Sequence, residues 1–237
     1  MSGPLSGTVT VIAGGAGAVG EGIVHGFAAA GAQVVVPSRD PARLDDLRSR
    51  LGAPPNLRTL VGDLGTAEGA ADVCNRVLAD YGRIDSVVAS VGGWWQGADL
   101  VDVDAATWAR LLANNLTSHF VVAQAFVPVL SERAGSSYLM IIGDAAEVPV
   151  RGSAPVSITT AGVLMMARTL VAESAGTSLR VNALVLGPLR TRARPAGRPE
   201  WLTAEEVGAH AAHLASPGGA MVSGSIVRLL SRPAPPD

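Results

Sequence analysis

Three features of the chain predict an α/β fold, a doubly wound parallel sheet of about seven strands with helices on both faces. Short apolar segments alternate with helical patterns from one end of the sequence to the other. The apolar segments are continuous runs rich in Val, Ile and Leu, as expected of strands buried on both faces. The chain has 237 residues, 48% of them hydrophobic and 16% charged, with no internal repeat or linker. Residues 1–237 therefore read as one domain.

The elements follow in order. Residues 8–13 form the first strand and lead into glycines. Residues 20–30 read as a helix, with Ile23, Phe27 and Ala30 on one face. Residues 33–36 are the second strand, and Pro41 starts the next helix with Asp40 as its cap. The third strand, 57–61, precedes a helix over 67–81 and a fourth strand over 84–90. One long helix is predicted over 105–130, a fifth strand over 138–142 and a second long helix over 155–175. The sixth strand covers 179–185. Thr203 caps a helix to Ser216, with Glu206 at the capping-box position, and 225–230 is the last strand. The tail 232–237 reads as flexible.

Composition narrows the function. The net charge of −2 argues against a nucleic-acid or anionic-membrane partner held by bulk electrostatics. No apolar run reaches the roughly 20 residues of a membrane span, and Met1-Ser2-Gly3-Pro4 carries no signal-peptide pattern. A cytoplasmic protein is the expectation. The single cysteine, Cys74, excludes an internal disulfide and reads as buried packing. Lys and Arg together number 18, and all are arginines, so no mechanism can use a lysine amine.

The most informative local motif is Gly14-Gly15-Ala16-Gly17-Ala18-Val19-Gly20. It follows the first strand and opens a helix, where glycines let the backbone turn tightly and approach a pyrophosphate. That context predicts a dinucleotide-binding, Rossmann-like sheet. At the end of the second strand stands Ser38-Arg39, where an NAD site would place an acid for the ribose. Arg39 suits a 2′-phosphate, so NADP(H) is the expected cofactor; the bland alternative is a solvated arginine. Asp63, after the third strand, is a candidate acceptor for the adenine amino group or else a cap.

These landmarks resemble the short-chain dehydrogenase/reductase family over almost the whole chain. The matching segments are the glycine turn, Ser38-Arg39, Asp63-Leu64, Gly82-Arg83-Ile84-Asp85, Asn115-Leu116-Thr117 and Arg180-Val181-Asn182-Ala183. Leu186-Gly187 with Thr191, and Val222-Ser223-Gly224, complete the set. The resemblance implies cofactor contacts at Gly14, Gly17, Val19, Gly20, Ser38, Arg39, Asp63, Leu64, Ser90, Gly92 and Thr191. It implies a substrate-covering loop over 188–201, carrying Arg190, Arg192, Arg194 and Arg198, and a homodimer or homotetramer paired through the two long helices.

The resemblance breaks in two places. The family's usual GxxxGxG is GxxGxxG here, and its Asn-Asn-Ala-Gly is Ala89-Ser90-Val91-Gly92. The family's serine, tyrosine and lysine fall on Gly143, Val156 and Thr160, when the alignment is anchored on Leu170-Val171-Ala172-Glu173. Of the usual tetrad only Asn115 is left. Reduction of an ordinary ketone needs a proton, and a placed acid contributes about 10²–10⁴ in rate. A carbon that is already electrophilic needs less help.

Other residues then become candidates. Asp144, at the end of the fifth strand, stands at the ligand-binding edge of an open α/β sheet and is a candidate acid or base. Glu147 is a weaker one, and each could instead be a loop carboxylate. Trp94 and Trp95 could wall a pocket for a planar or apolar substrate, together with Gly143, Glu147 and Val156, or could pack on the core. His119 reads as helix packing, His25 as helix surface, and His210 with His213 lacks the partners for a metal site. No metal is expected. Tyr81 and Tyr138 read as structural. Three classes of function remain: an NADP(H)-linked reductase of a small electrophile without the tyrosine–lysine relay, a non-redox cyclase, dehydratase or isomerase on the same scaffold, and an inactive assembly subunit.

Overall fold

The structure, a computed structural model, describes residues 3–231, so the tail reading at 232–237 lies outside the described residues. The elements in chain order are β1 (Val9–Ala13), α1 (Ala18–Ala29), β2 (Gln33–Ser38), α2 (Pro41–Arg50), β3 (Leu57–Val61) and α3 (Ala67–Tyr81). They continue with β4 (Ser86–Ala89), α4 (Ala105–Leu112), α5 (Ser118–Ser131), β5 (Ser137–Gly143), α6 (Ala154–Glu173) and β6 (Arg180–Leu186). The last are β7 (Leu189–Arg190), β8 (Leu202–Thr203), α7 (Ala204–Ala215) and β9 (Ile226–Leu229). Seven strands form one sheet in the order β3-β2-β1-β4-β5-β6-β9, all parallel, and β7 and β8 form a separate parallel pair.

Because strand side chains alternate between faces, the strands feed two cores. Val9, Val11, Val87, Tyr138 and Met140 face one side with Val73, Phe126 and Leu164 of α3, α5 and α6. Ile12, Val34, Val88, Leu139 and Leu184 face the other with Ile23, Leu44 and Val207 of α1, α2 and α7. On that second face α1 and α7 cross with backbone nearly touching backbone: a Cβ on Gly208 would lie 2.0 Å from the Gly22 carbonyl oxygen. Cys74 lies in the first core, and His25 on the surface of α1.

Caps follow the sequence closely. Asp40 caps α2, Thr66 caps α3, Asp104 caps α4, and Thr203 with Glu206 forms a capping box on α7. The segment Arg180–Ala183 acts through its polar side chains. Arg180 is buried and donates to the carbonyls of Leu214, Ala215 and Gly219 at the C-terminal end of α7. Asn182 donates to the Val222 carbonyl and accepts from the Ser225 N–H, fixing the turn before β9. At the same N-terminal edge of the strands, Asp85 accepts from Val9 N–H, Arg83 and Arg133.

Two expectations are corrected. The single helix over 105–130 is interrupted by a π-helical turn, Ala113–Thr117, because Asn115 there is drawn into a tertiary contact described below. Helix α6 is also long and apolar enough to cross a membrane by length and composition, whereas the sequence reading found no such run. Here α6 lays Val163, Leu164 and Ala167 against the sheet.

Candidate active site

The strand order reverses between β1 and β4, and the glycine turn leaves β1 at that point, on the C-terminal edge of the sheet. Gly14 has φ +80°, and a Cβ there would lie 2.1 Å from the Ser90 carbonyl oxygen, so the turn and the β4 loop are in backbone contact. Gly17 is the N-cap of α1 and supplies no side-chain cap. The first N–H groups of α1 thus have no side-chain acceptor, unlike those of α2, α3, α4 and α7. This is the donor set that a pyrophosphate takes.

Cations gather around the turn. Arg43 of α2 and Arg192 of the 188–201 loop each donate to the Ala16 carbonyl at 3.3 Å. Arg192 also pairs with Glu21 of α1 at 2.8 Å, and Arg50 pairs with the same carboxylate at 3.0 Å. Arg39 is exposed at the end of β2 and has no ion-pair partner among the described residues. Ser38 accepts from Asp40 N–H. The residues present therefore fit a dinucleotide pyrophosphate. Val19 is partly buried, and Leu64 is a core residue whose side chain is turned inward. Asp63 accepts from Gly65 N–H at 2.8 Å and shapes the turn after β3, while Thr66 caps the helix.

On the same edge the loop after β4 is held by Asn115. Its side chain is 3% exposed, accepts from Gly93 N–H at 2.9 Å and donates to Gly93 carbonyl at 3.0 Å. Asn115, read from sequence as catalytic, is engaged at both ends of its amide. His119, one turn on, contacts the Val91 carbonyl through Nε2 at 3.2 Å, while its Nδ1 has no partner among the described residues. Burial lowers its pKa to about 4. Gly92 sits at φ +107° over the Asn115 side chain.

Beyond Gly93 the loop carries Trp94, 54% exposed, and Trp95, whose ring lies over Gly97. It is tied to the loop before α6 by Gly97 N–H to Gly152 carbonyl (2.9 Å), Gln96 to Arg151 carbonyl (2.8 Å) and an Asp99–Arg151 ion pair (3.0 Å). Val148 and Val150 are exposed in that second loop.

At the end of β5, Gly143 faces open space: a Cβ there would meet nothing within 4 Å. Asp144 follows, half-buried, one oxygen 3.7 Å from where a Gly187 Cβ would stand. Burial pushes its pKa up; backbone N–H groups of its own turn oppose this in part. Glu147, grouped with the substrate pocket from sequence, is instead paired with Arg228 of β9 at 2.5 and 2.8 Å, a bond that holds its pKa down. Val156 is buried in the first turn of α6, and Thr160 donates back to the Val156 carbonyl at 2.7 Å. Thr191 lies in the loop after β6, where its carbonyl accepts from Arg194 N–H.

The loop arginines all have partners. Besides Arg192, Arg190 donates to the Trp201 carbonyl, Arg194 lies 6.0 Å over the Trp201 ring, and Arg198 approaches Glu200. Sequence reasoning named the four loop arginines without partners and missed Arg43 altogether. Among the described residues no group of His, Cys, Asp or Glu could hold a metal.

Comparison with known proteins agrees with this geometry. The short chain dehydrogenase family model matches residues 8–200. A 3-oxoacyl-acyl-carrier-protein reductase of rhamnolipid biosynthesis from Pseudomonas aeruginosa is 26% identical, with 94% of each chain covered. A galactitol 2-dehydrogenase (L-tagatose-forming) from Cereibacter sphaeroides is 29% identical over 94% of this chain and 93% of its own. A solved short-chain dehydrogenase/reductase from Burkholderia xenovorans superposes with a TM-score of 0.86 at 26% identity, covering 96% of both chains. With the sheet order, the glycine turn and the family match in agreement, the chain belongs to the short-chain dehydrogenase/reductase family, whose similar members are dehydrogenases and reductases and which typically binds a nicotinamide cofactor.

Proposed function

We propose that the chain is an NADP(H)-dependent reductase of a small, apolar or planar metabolite whose reacting carbon is already electrophilic. The observation that carries this reading is a contrast within one edge of the sheet. The dinucleotide end has its glycine turn, an uncapped helix N-terminus and two arginines, Arg43 and Arg192, on the turn itself. The reacting end has Gly143, Val156 and a back-bonded Thr160 where the family pattern has serine, tyrosine and lysine.

When bound, the nicotinamide supplies the hydride. The chain's part is to hold and screen. The first turn of α1 would take the pyrophosphate, and Arg39 the 2′-phosphate. Asn115 keeps the β4 loop closed through Gly93, which sets Trp94 and Trp95 at the rim. Thr160 holds its hydroxyl proton on the helix backbone and presents no acid to the site. The substrate is a small molecule, with no nucleic acid or membrane partner, and the setting is cytoplasmic.

A second reading, a non-redox cyclase, dehydratase or isomerase, is favoured by one observation: burial raises Asp144, as suits an acid–base residue. An NADPH titration followed by absorbance at the dihydronicotinamide band separates the readings. The reductase reading expects NADPH to bind more tightly than NADH, to be consumed with quinones or iminium ions, and to persist with simple ketones. Efficient turnover of simple ketones overturns the mechanism, and binding without consumption on any electrophile favours the second reading. No affinity for either cofactor would point to an inactive assembly subunit.

A further inference from the structure

We infer that Asp144, directly after β5 and one strand from the β4 loop that carries Trp94, forms a binding site for an organic cation, so that the substrate class is an iminium ion or the corresponding amine. It rests on reading this edge as the substrate site. Three other carboxylates near this edge carry cations of their own. Glu21 is matched by Arg50 and Arg192, Asp99 by Arg151, and Glu147 by Arg228. Asp144 has no cation within ion-pair distance among the described residues, and only backbone N–H groups of its own turn meet it. Yet it is half-buried. A carboxylate withdrawn from water without a counter-ion is costly, and a cationic ligand relieves that cost.

Position supports the assignment. Asp144 stands between the ends of β5 and β6: one oxygen approaches Gly187, and beside it Gly143 leaves open the volume that a side chain would fill. The loop after β4, the strand next to β5, carries Trp94 on the same sheet edge, and that residue is 54% exposed. A carboxylate and an exposed indole are together a recognition pair for an alkylated nitrogen cation. Arg228 of β9 is occupied by Glu147 through two hydrogen bonds.

The chemistry agrees with the absence of a relay. An iminium carbon that gains a hydride becomes a neutral amine. The new C–H bond takes the hydride pair, the C=N π pair becomes the nitrogen lone pair, and no proton is called for. The hydride comes from the dihydronicotinamide proposed above. A ketone would leave an alkoxide beside an uncompensated carboxylate, the worst placement for a growing negative charge.

The test is calorimetric and needs no cofactor. Tetrahydroisoquinoline, protonated at neutral pH, is titrated into the full chain beside isochroman, the neutral ether of the same shape. Tetrahydroisoquinoline is expected to bind at least tenfold more tightly, about 1.4 kcal/mol. Asp144→Asn should erase that preference and leave isochroman and NADPH affinities within twofold, while Asp144→Glu should keep most of it. Should Asp144→Asn not fold, Asp144→Ser carries the same comparison. Equal binding of the two probes, a preference that survives loss of the carboxylate, or no binding of tetrahydroisoquinoline at millimolar concentration each overturns the inference. A chain that prefers the amine but binds no NADPH keeps this site and loses the reductase reading; the reverse result does the opposite.

Discussion

Arg39 and His119 show what one side chain can decide. Arg39 is exposed, has no ion-pair partner among the described residues and stands at the end of β2, so its guanidinium is available to a 2′-phosphate. Replacing it with Asp should lower NADPH affinity at least tenfold, about 1.4 kcal/mol, and leave NADH affinity within twofold; fluorescence titration of both cofactors reads the change. His119 is buried as the neutral ring, with a folded pKa of about 4 against an ordinary 6.5. The unfolded chain therefore binds the proton first as pH falls. Stability is full above the ordinary value and declines toward the folded one, a loss of about 2 kcal/mol between pH 7.5 and pH 5. Urea unfolding at those two pH values should show it, and His119→Gln should remove most of the difference.

Among the elements, the π turn matters most. Asn115 reaches Gly93 from inside it, and the β4 loop in turn reaches the loop before α6 through Gly97 and Gln96. Asn115→Ala would leave both Gly93 backbone groups to water. The expected cost is about 1–2 kcal/mol in urea unfolding, with Trp fluorescence shifting to the red as the rim loosens. This turn was not legible in the sequence, where 105–130 has unbroken helical spacing; the force that interrupts the helix is a contact with a residue 22 positions away. The strands and caps were legible because their causes are local: apolar runs make buried strands, and Asp40 and Thr203 sit directly before their helices. The same holds for the site. The glycine turn announces itself, whereas Arg43 and Arg192 lie 27 and 176 positions from the carbonyl they share. The apolar character of α6 was misjudged because one helix serves the core with Val163 and Leu164 and leaves Ile158 and Met165 outside.

At the scale of the whole molecule, that outer face calls for a partner. Phe120 of α5 is 52% exposed, and Ile158 and Met165 of α6 are 46% and 56% exposed. We propose that two copies pair across these helices, as sequence resemblance suggested, since single exposed apolar residues are ordinary but a set on adjoining helices marks an interface. Light scattering should report a dimer or tetramer. Phe120→Glu combined with Met165→Glu should yield a monomer that keeps NADPH affinity within twofold, because the glycine turn lies elsewhere on the sheet. A monomeric unmodified chain would contradict the pairing.

Arg192 has a consequence for traffic. Its guanidinium spans from the Ala16 carbonyl to Glu21, across the mouth of the glycine turn. A dinucleotide arriving there meets a bar already in place, and a dinucleotide leaving must wait for the same bar to lift. The bar changes timing in both directions more than it changes the final balance. In stopped-flow fluorescence, Arg192→Ala should speed NADPH arrival and departure together, each at least threefold, with the ratio of the two rates nearly constant. A variant that altered departure alone would mark Arg192 as a phosphate ligand and not a barrier.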